Sequence, residues 1–256
     1  MIPRASNEAS AAALLDEYVA SLMPLRQRVA LISGANRGIG FETAKQLGSQ
    51  GMTVLLGARD LAAGEKAARE LRRSGAEVLA VQLDVTSQAQ VDALKSKIDS
   101  EYRRLDVLVN NAGGFYDPAS RASTMDIDIA RDVLDTNLMG AWRLSEMAVP
   151  LMRRHGYGRI VNVSSGCGSM ACEGPESPAY RVSKAALNAL TRAFAAELIG
   201  SGILVNAVCP GWVATRLGGR GGRAVSEGAA GIVWAASIDE PAPTGQFFRD
   251  GQSIAW

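Results

Sequence analysis

From Val29 onward, short and almost continuous apolar segments alternate with longer segments of helical periodicity. The apolar segments are rich in Val, Ile and Leu and do not alternate with polar residues, which is typical of parallel strands buried on both faces. They predict strands at Val29–Ser33, Thr53–Ala58, Val78–Leu83, Val107–Asn110, Ile160–Ser164, Leu204–Val208 and Gln246–Arg249. The segments between them predict helices at Gly38–Gln50, Leu61–Arg73, Gln88–Tyr102, Asp128–His155, Pro178–Gly200 and Ser226–Ser237.

This alternation predicts the fold class and the domain organisation. Strands that alternate with helices form βαβ units with right-handed crossovers. The prediction is an α/β fold, a single Rossmann-type doubly wound parallel sheet of about seven strands with helices on both faces. No linker, internal repeat or low-complexity segment divides residues 29–256, which we therefore assign to one domain.

Residues 1–28 form an N-terminal extension to this domain. Leu14, Tyr18 and Leu22 recur at helical spacing, which predicts a short amphipathic helix that ends near Pro24. We expect the extension to pack on the domain or on a partner subunit; a targeting role is the alternative.

Composition narrows the function classes. Lys and Arg number 27 against 26 Asp and Glu, so the net charge gives no reason to expect a nucleic acid or a membrane surface as partner. Three cysteines without a CxxC pair and a single histidine, His155, argue against a metal site and a disulfide framework. No apolar run is long enough to span a membrane. We expect a cytoplasmic protein.

The first strand runs into a glycine-rich turn, Ser33–Gly40, that is followed directly by a helix. Gly34, Gly38 and Gly40 allow a tight turn and a close approach of the backbone to a phosphate. The helix N-terminus offers unpaired N–H groups and the positive end of its dipole. Glycine spacing alone is a weak signal in a chain with 27 glycines, but its place between a strand and a helix predicts a dinucleotide site.

The end of the second strand indicates which cofactor is bound. A free ribose 2′-hydroxyl is usually held by an acidic residue at this position, where this chain has Ala58 or Arg59. Arg59 and Arg37 suit a 2′-phosphate, so we expect NADP(H), with NAD(H) less favoured. In the alternative interpretation both arginines are surface residues and Asp60 caps the next helix.

Ser165 ends the fifth strand, and Tyr180 and Lys184 follow at i and i+4 on a predicted helix. That spacing places the phenol and the ammonium on one face. A free tyrosine has a pKa of about 10. We expect Lys184, together with the positive nicotinamide ring, to lower the pKa of Tyr180 so that it exchanges a proton with a substrate oxygen held by Ser165.

These motifs together resemble the short-chain dehydrogenase/reductase family, in particular its NADP-dependent carbonyl reductase and menthone reductase-like branch. The resemblance covers about Val29 to Trp256 and implies that Ser165, Tyr180 and Lys184 are catalytic. It also implies that Asn137 supports a proton-relay water. Ser33 stands where threonine is commoner in the family, which keeps a hydroxyl.

The pattern and the resemblance together predict the residues that bind cofactor and substrate. The cofactor-binding residues are Gly34, Asn36, Arg37, Gly38, Ile39, Gly40, Arg59, Asp84, Val85, Asn111, Ala112, Gly113, Tyr180, Lys184, Pro210, Gly211, Val213 and Thr215. The substrate candidates are Phe115, Cys167 and Trp212, with Tyr116, Met170, Cys172 and Leu217 as further apolar or soft side chains that could equally be packing residues.

The resemblance implies an oxidoreductase that transfers hydride from NADPH to a carbonyl (a ketone, aldehyde or quinone) of a small lipophilic substrate, with Tyr180 as general acid/base. An NADP-binding sensor without turnover, and an isomerase or dehydratase that uses the same site, are the alternatives. Only 14 residues separate Ser165 from Tyr180, without the long insertion of animal carbonyl reductases. This implies a homodimer or homotetramer formed through the helices at Asp128–His155 and Pro178–Gly200.

Overall fold

An eight-stranded sheet forms the centre of the fold in the computed structural model, which describes residues 28–256. Its strand order is β3-β2-β1-β4-β5-β6-β7-β8, parallel throughout except for the last pair. The strands are β1 (Val29–Ile32), β2 (Thr53–Ala58), β3 (Val78–Gln82), β4 (Val107–Asn110), β5 (Gly158–Val163), β6 (Ile203–Val208), β7 (Phe247–Arg249) and β8 (Gln252–Ser253). The predicted α/β doubly wound sheet is confirmed.

Seven α-helices of the described part of the chain cover both faces of this sheet. They are α1 (Gly38–Ser49), α2 (Leu61–Arg72), α3 (Gln88–Glu101), α4 (Ile127–Leu134), α5 (Gly140–Arg153), α6 (Pro178–Glu197) and α7 (Val225–Ser237). Apolar side chains of α1, α2 and α7 fill one core against the sheet, and those of α3, α5 and α6 fill a second core on the opposite face. Burial on both faces explains why the central strands are apolar at consecutive positions.

Two elements differ from the sequence prediction. The sheet has an eighth strand, because Asp250 and Gly251 both adopt positive φ and turn β7 back into the short antiparallel β8. The predicted helix Asp128–His155 is two helices, α4 and α5, joined by one π-helical turn at Asp135–Met139. The predicted N-terminal helix lies outside the described residues. None of the helices within residues 28–256 is long and apolar enough to cross a membrane.

The strand order reverses between β1 and β4, which leaves a crevice at the carboxyl ends of these two strands. In doubly wound sheets this crevice is where ligands bind. The loops that carry the predicted site residues leave the sheet at this edge, directly after β1, β4, β5 and β6.

Candidate active site

The loops that follow β1 and β4 are bonded to each other at the crevice. The Ser33 hydroxyl accepts hydrogen bonds from the backbone N–H groups of Asn111 (3.1 Å) and Ala112 (3.0 Å). The Asn111 amide donates to the carbonyls of Ser33 (2.9 Å) and Gly34 (3.1 Å). Ser33 therefore bonds to the loop after β4 through its hydroxyl, a group that the threonine commoner at this position also has. Asn111 holds the glycine-rich turn in place.

The glycine-rich turn has the shape of a phosphate cradle. Gly34 and Gly38 have φ of +64° and +59°, a region that favours glycine. A Cβ on Gly40 would lie 2.4 Å from the Asn111 amide nitrogen and 2.8 Å from the Gly34 carbonyl oxygen. In the described structure, α1 begins after Arg37 with no capping side chain and no acidic residue in its first turn. Its first N–H groups are thus available to an anion, and the residues present fit a dinucleotide pyrophosphate.

Arg37 and Arg59 are both exposed at this end of the sheet. Asp60 uses its carboxylate to cap α2, accepting from the N–H groups of Ala62 (2.9 Å) and Ala63 (3.2 Å). The carboxylate beside Arg59 is therefore already engaged by the helix. Asp60 thus caps the next helix, as the alternative interpretation of this segment expects. The capping leaves the side chain of Arg59 available to a ligand.

Asp84 follows β3 next to Arg59. Burial acts to raise the pKa of its carboxyl group, but hydrogen bonds from the hydroxyl (2.7 Å) and the N–H (3.0 Å) of Thr86, together with the charge of Arg59, hold the pKa below its ordinary value. Asp84 is thus an anion within electrostatic reach of Arg59, another residue that the sequence analysis expects to bind the cofactor.

Asn137 lies in the π-helical turn between α4 and α5 and is buried. Its oxygen accepts from the N–H of Gly114 (3.0 Å), and its amide donates to the carbonyl of Gly114 (3.2 Å) and to the hydroxyl of Ser183 (3.0 Å). π-helical turns inside α-helices are frequent at functional sites. Here the turn aims Asn137 at the loop after β4 and at the helix that carries Tyr180.

Three predicted residues meet at Gly113. A Cβ on this glycine would lie 3.1 Å from the Asn137 oxygen and 3.4 Å from the Lys184 nitrogen. Lys184 is buried on α6, and its ammonium donates to the Val163 carbonyl (2.8 Å) at the end of β5. The structure therefore brings Asn137, Lys184 and the loop after β4 together.

Ser165 and Tyr180 face each other across the same crevice. Burial raises the pKa of Tyr180 to about 12, and a hydrogen bond with Ser165 opposes this increase. The Ser165 hydroxyl also accepts from the N–H of Cys167 (3.2 Å) in the one-turn helix Gly166–Gly168. The two side chains that the sequence assigns to the substrate oxygen are therefore adjacent.

Among the protein's own side chains, Lys184 does not bring the pKa of Tyr180 below its ordinary value. The expected lowering involves the positive nicotinamide ring as well and stays a prediction. The Lys184 ammonium lies 5.7 Å from the centre of the Tyr180 ring and is bonded to a backbone carbonyl. Burial lowers the pKa of Lys184 itself to about 8. Desolvation favours the neutral form of both groups. Its effect on the two pKa values is larger than that of the attraction between a phenolate and the ammonium.

The substrate candidates lie in the loops that follow β4, β5 and β6. The ring of Tyr116 meets that of Tyr180 edge-on, with 5.6 Å between centres. Phe115 is exposed and has a φ of +64°, and Cys167 is half-buried beside Ser165. Trp212 is 63% exposed, and its indole N–H donates to the Gly218 carbonyl (2.7 Å). Of these four, Tyr116 is in ring contact with Tyr180.

The loop after β6 approaches the glycine-rich turn. Gly211 has a φ of +76°, and a Cβ on Gly38 would lie 3.7 Å from the Thr215 methyl group. Val213 is buried, and the Thr215 hydroxyl accepts from the N–H of Gly218 (3.0 Å). Thr215 therefore lies beside the N-terminus of α1, where the sequence analysis expects the cofactor to bind.

Sequence reasoning did not single out Asn188, which is buried on α6 and bonded to both ends of the segment that contains Ser165. Its spacing carries a signal that could have found it, because it lies four residues after Lys184 and eight after Tyr180, on the same helical face. Among residues 28–256, no group of His, Cys, Asp and Glu side chains is placed to hold a metal ion.

Comparisons with known proteins find a matching family model and several similar proteins. The family model described as short chain dehydrogenase matches residues 28–223. Salutaridine reductase from Papaver somniferum is 32% identical over an alignment that covers 87% of this chain and 94% of the relative. Its solved structure superposes with a TM-score of 0.78 at 29% identity, covering 86% of this chain and 99% of the other.

Two further solved structures differ in the cofactor that they contain. Actinorhodin polyketide ketoreductase with NADPH has a TM-score of 0.79 at 31% identity and covers 87% of this chain and 95% of the other. The complex of 7α-hydroxysteroid dehydrogenase with NADH and 7-oxo glycochenodeoxycholic acid has a TM-score of 0.80 at 25% identity and covers 91% and 97%. The same fold thus occurs with either nicotinamide cofactor.

Proposed function

The chain belongs to the short chain dehydrogenase family of oxidoreductases, and on that premise we propose that it is an NADPH-dependent reductase of small lipophilic carbonyl compounds. The observation that supports this most is the convergence of Ser165, Tyr180, Lys184 and Asn137 beside a glycine-rich turn at the switch point of the sheet. Each has a distinct role in carbonyl reduction.

A nicotinamide cofactor held at the glycine-rich turn would supply a hydride for the carbonyl carbon, and the carbonyl oxygen would take up a proton. Tyr180 donates that proton. With a pKa of about 12 its phenol is protonated at neutral pH, which is the form that an acid in the reductive direction requires. Ser165 donates a hydrogen bond to the carbonyl oxygen and so places it next to the phenol.

Lys184 and Asn137 assist proton transfer from the Tyr180 phenol. Lys184 would hold the ribose next to the nicotinamide, and its ammonium would stabilise the phenolate left after proton transfer. Asn137 anchors a water molecule that returns a proton to the site. Gly113 suits this arrangement, because a side chain there would crowd both groups.

The preference for NADPH rests on Arg59 and Arg37. Both are exposed at the end of the crevice that receives the adenosine, and the adjacent Asp60 is already engaged by the helix that it caps. Two guanidinium groups hold a 2′-phosphate through charge-assisted hydrogen bonds. Asp60 therefore offers no free carboxylate to a ribose 2′-hydroxyl, which an NAD-binding site would need.

Turnover by wild type and by Tyr180→Phe tests the proposed reaction. We expect wild type to oxidise NADPH with at least one of a panel of quinones, aromatic aldehydes, cyclic ketones and 3-oxoacyl esters. Tyr180→Phe should lose at least about 100-fold in kcat, a typical contribution of general acid catalysis, while its NADPH affinity is retained. Tight NADPH binding by wild type without turnover of any carbonyl would favour the sensor alternative instead.

Arg59→Asp tests the choice of cofactor. Hydrogen bonds to charged groups contribute about 1.5–3 kcal/mol, so we expect the Kd for NADPH to rise about 10- to 100-fold and that for NADH to change much less. Arg69→Asp, at an exposed position near the end of α2, makes the same change in net charge and should leave both constants unaltered. An equal effect of Arg59→Asp on both cofactors contradicts a contact with the 2′-phosphate.

A further inference from the structure

We propose that Asn188 is a positioning residue that fixes the catalytic serine against the helix that carries Tyr180. The inference rests on the proposed function, since it concerns how Ser165 and Tyr180 are held at a common substrate oxygen. We call residues 164–168, which contain Ser165 and the one-turn helix after it, the serine turn.

Asn188 bridges the two ends of the serine turn. Its side-chain oxygen accepts from the Ser164 hydroxyl at 2.6 Å, and its side-chain amide donates to the Gly168 carbonyl at 3.2 Å. Ser164 precedes the catalytic serine by one residue, and Gly168 follows it by three. Asn188 is only 4% exposed, so water does not compete strongly for either bond. One carboxamide thus sets both ends of the segment that presents Ser165.

The same side chain belongs to the helix of the proton donor. Tyr180, Lys184 and Asn188 recur every four residues on α6, which places them along one helical face. The two bonds of Asn188 therefore tie the serine directly to the element that places the phenol. A shift of the serine turn relative to α6 would change the spacing between Ser165 and Tyr180, on which proton transfer and carbonyl binding both depend.

Packing leaves the serine turn little room to move. A Cβ on Gly168 would lie 2.7 Å from the Lys184 backbone carbon, so the turn rests directly on the backbone of α6. On its other side, the N–H of Gly166 donates to the Cys209 sulfur (3.1 Å), which also accepts from the Arg249 guanidinium (3.1 Å). The turn is thus bonded on the α6 side by Asn188 and on the β6 side by Cys209.

Helix α6 supplies a matched control for a purely structural role. Thr191 is also buried on this helix and accepts from the Asn162 amide at 2.9 Å, which ties α6 to β5. Thr191→Val removes a buried helix-to-strand hydrogen bond of the same kind without touching the serine turn. A general loss of helix packing affects both variants, whereas loss of positioning affects Asn188→Ala alone.

A double-mutant cycle with Ser165→Ala tests the proposal. We expect Asn188→Ala to lower kcat at least about 10-fold and to leave the KM for NADPH unchanged. In a Ser165→Ala background the same substitution should lower kcat less than about 2-fold, since its effect passes through Ser165. Equal losses in the two backgrounds, or an equal loss in Thr191→Val, would overturn the proposal. Ser164→Ala, which removes the 2.6 Å bond alone, replaces Asn188→Ala if that variant does not fold.

Labelling of Cys167 with a thiol reagent provides a readout that needs no turnover. Cys167 and Cys172 are half-buried and Cys209 is buried, so in a Cys172→Ser background the reaction reports on the serine turn. Asn188→Ala should raise the labelling rate at least about 5-fold through local opening, whereas Thr191→Val should not. Unchanged labelling overturns the proposal. If wild type reduces no carbonyl, the proposed function fails, and the labelling rates still decide whether Asn188 holds the turn.

Discussion

Replacing Lys184 with methionine should change how stability depends on pH, since the structure buries this ammonium. Lys184 is 5% exposed and has one bond to a carbonyl oxygen, from Val163. Burial lowers its pKa to about 8 from an ordinary value of 10.5. Methionine has a similar length and no charge, so the variant removes the desolvation cost while it keeps most of the packing.

The magnitude follows from proton linkage. Between about pH 8 and 10.5 the unfolded chain keeps a proton on Lys184 that the folded protein has released. The unfolded state therefore binds more protons in this window, and stability rises with pH. One pKa unit corresponds to about 1.4 kcal/mol, so the full cost of the charged lysine is about 3 kcal/mol. It is present below pH 8 and disappears by about pH 10.5.

Urea unfolding of wild type and Lys184→Met at pH 7, 9 and 10.5 measures this effect. We expect the stability difference between the two proteins to shift in favour of wild type by about 3 kcal/mol from the lowest to the highest pH. Lys66→Met, at an exposed position on α2, should show a difference from wild type that does not change with pH. A difference between Lys184→Met and wild type that stays constant across the three pH values would refute the burial argument.

Two further predictions concern the site and the helices around it. Gly113→Ala should lower kcat about 10-fold, because the added carbon lies 3.1 Å from the Asn137 oxygen and 3.4 Å from the Lys184 nitrogen. Steady-state kinetics measures this effect, with an unchanged circular dichroism spectrum as the control for folding. A variant with the kcat of wild type would contradict the prediction. Trp142 is 45% exposed on α5, and α4 and α6 also carry exposed apolar side chains. Trp142→Glu should therefore convert a homodimer or homotetramer to monomers in light scattering. A wild type that is already monomeric, or a variant that keeps the wild-type mass, would contradict assembly through these helices.

The strands were predictable because their environment is simple. A parallel strand covered on both faces needs apolar residues at consecutive positions, and the predicted bounds of all seven strands lie within two residues of the observed ones. The eighth strand has two exposed polar residues, Gln252 and Ser253, and so lacks this pattern. Its signal is Asp250-Gly251, a pair that suits the positive φ values of a two-residue hairpin turn.

The helix that carries Asn137 shows what periodicity does not resolve. The predicted single helix is observed as a helical segment from Ile127 to Arg153 in which a π-helical turn adds one residue to one turn. Hydrophobic spacing averages over several turns and does not register this change. The turn nevertheless decides where Asn137 points, so its bonds to Gly114 and Ser183 could be found only from coordinates.

The pKa of Tyr180 depends on details that sequence spacing leaves open. Positions i and i+4 place the Tyr180 phenol and the Lys184 ammonium on one helical face, but a four-carbon side chain can end at several places on that face. In this fold it ends at the carbonyl of Val163, and burial acts on the phenol more strongly than the ammonium does. The same burial that keeps the phenol protonated at neutral pH also lowers the pKa of Lys184 to about 8. Near neutral pH the site therefore contains a protonated phenol and a buried ammonium. Because the ammonium is buried, its charge is weakly screened, and it stabilises a phenolate formed beside it more than it would in water.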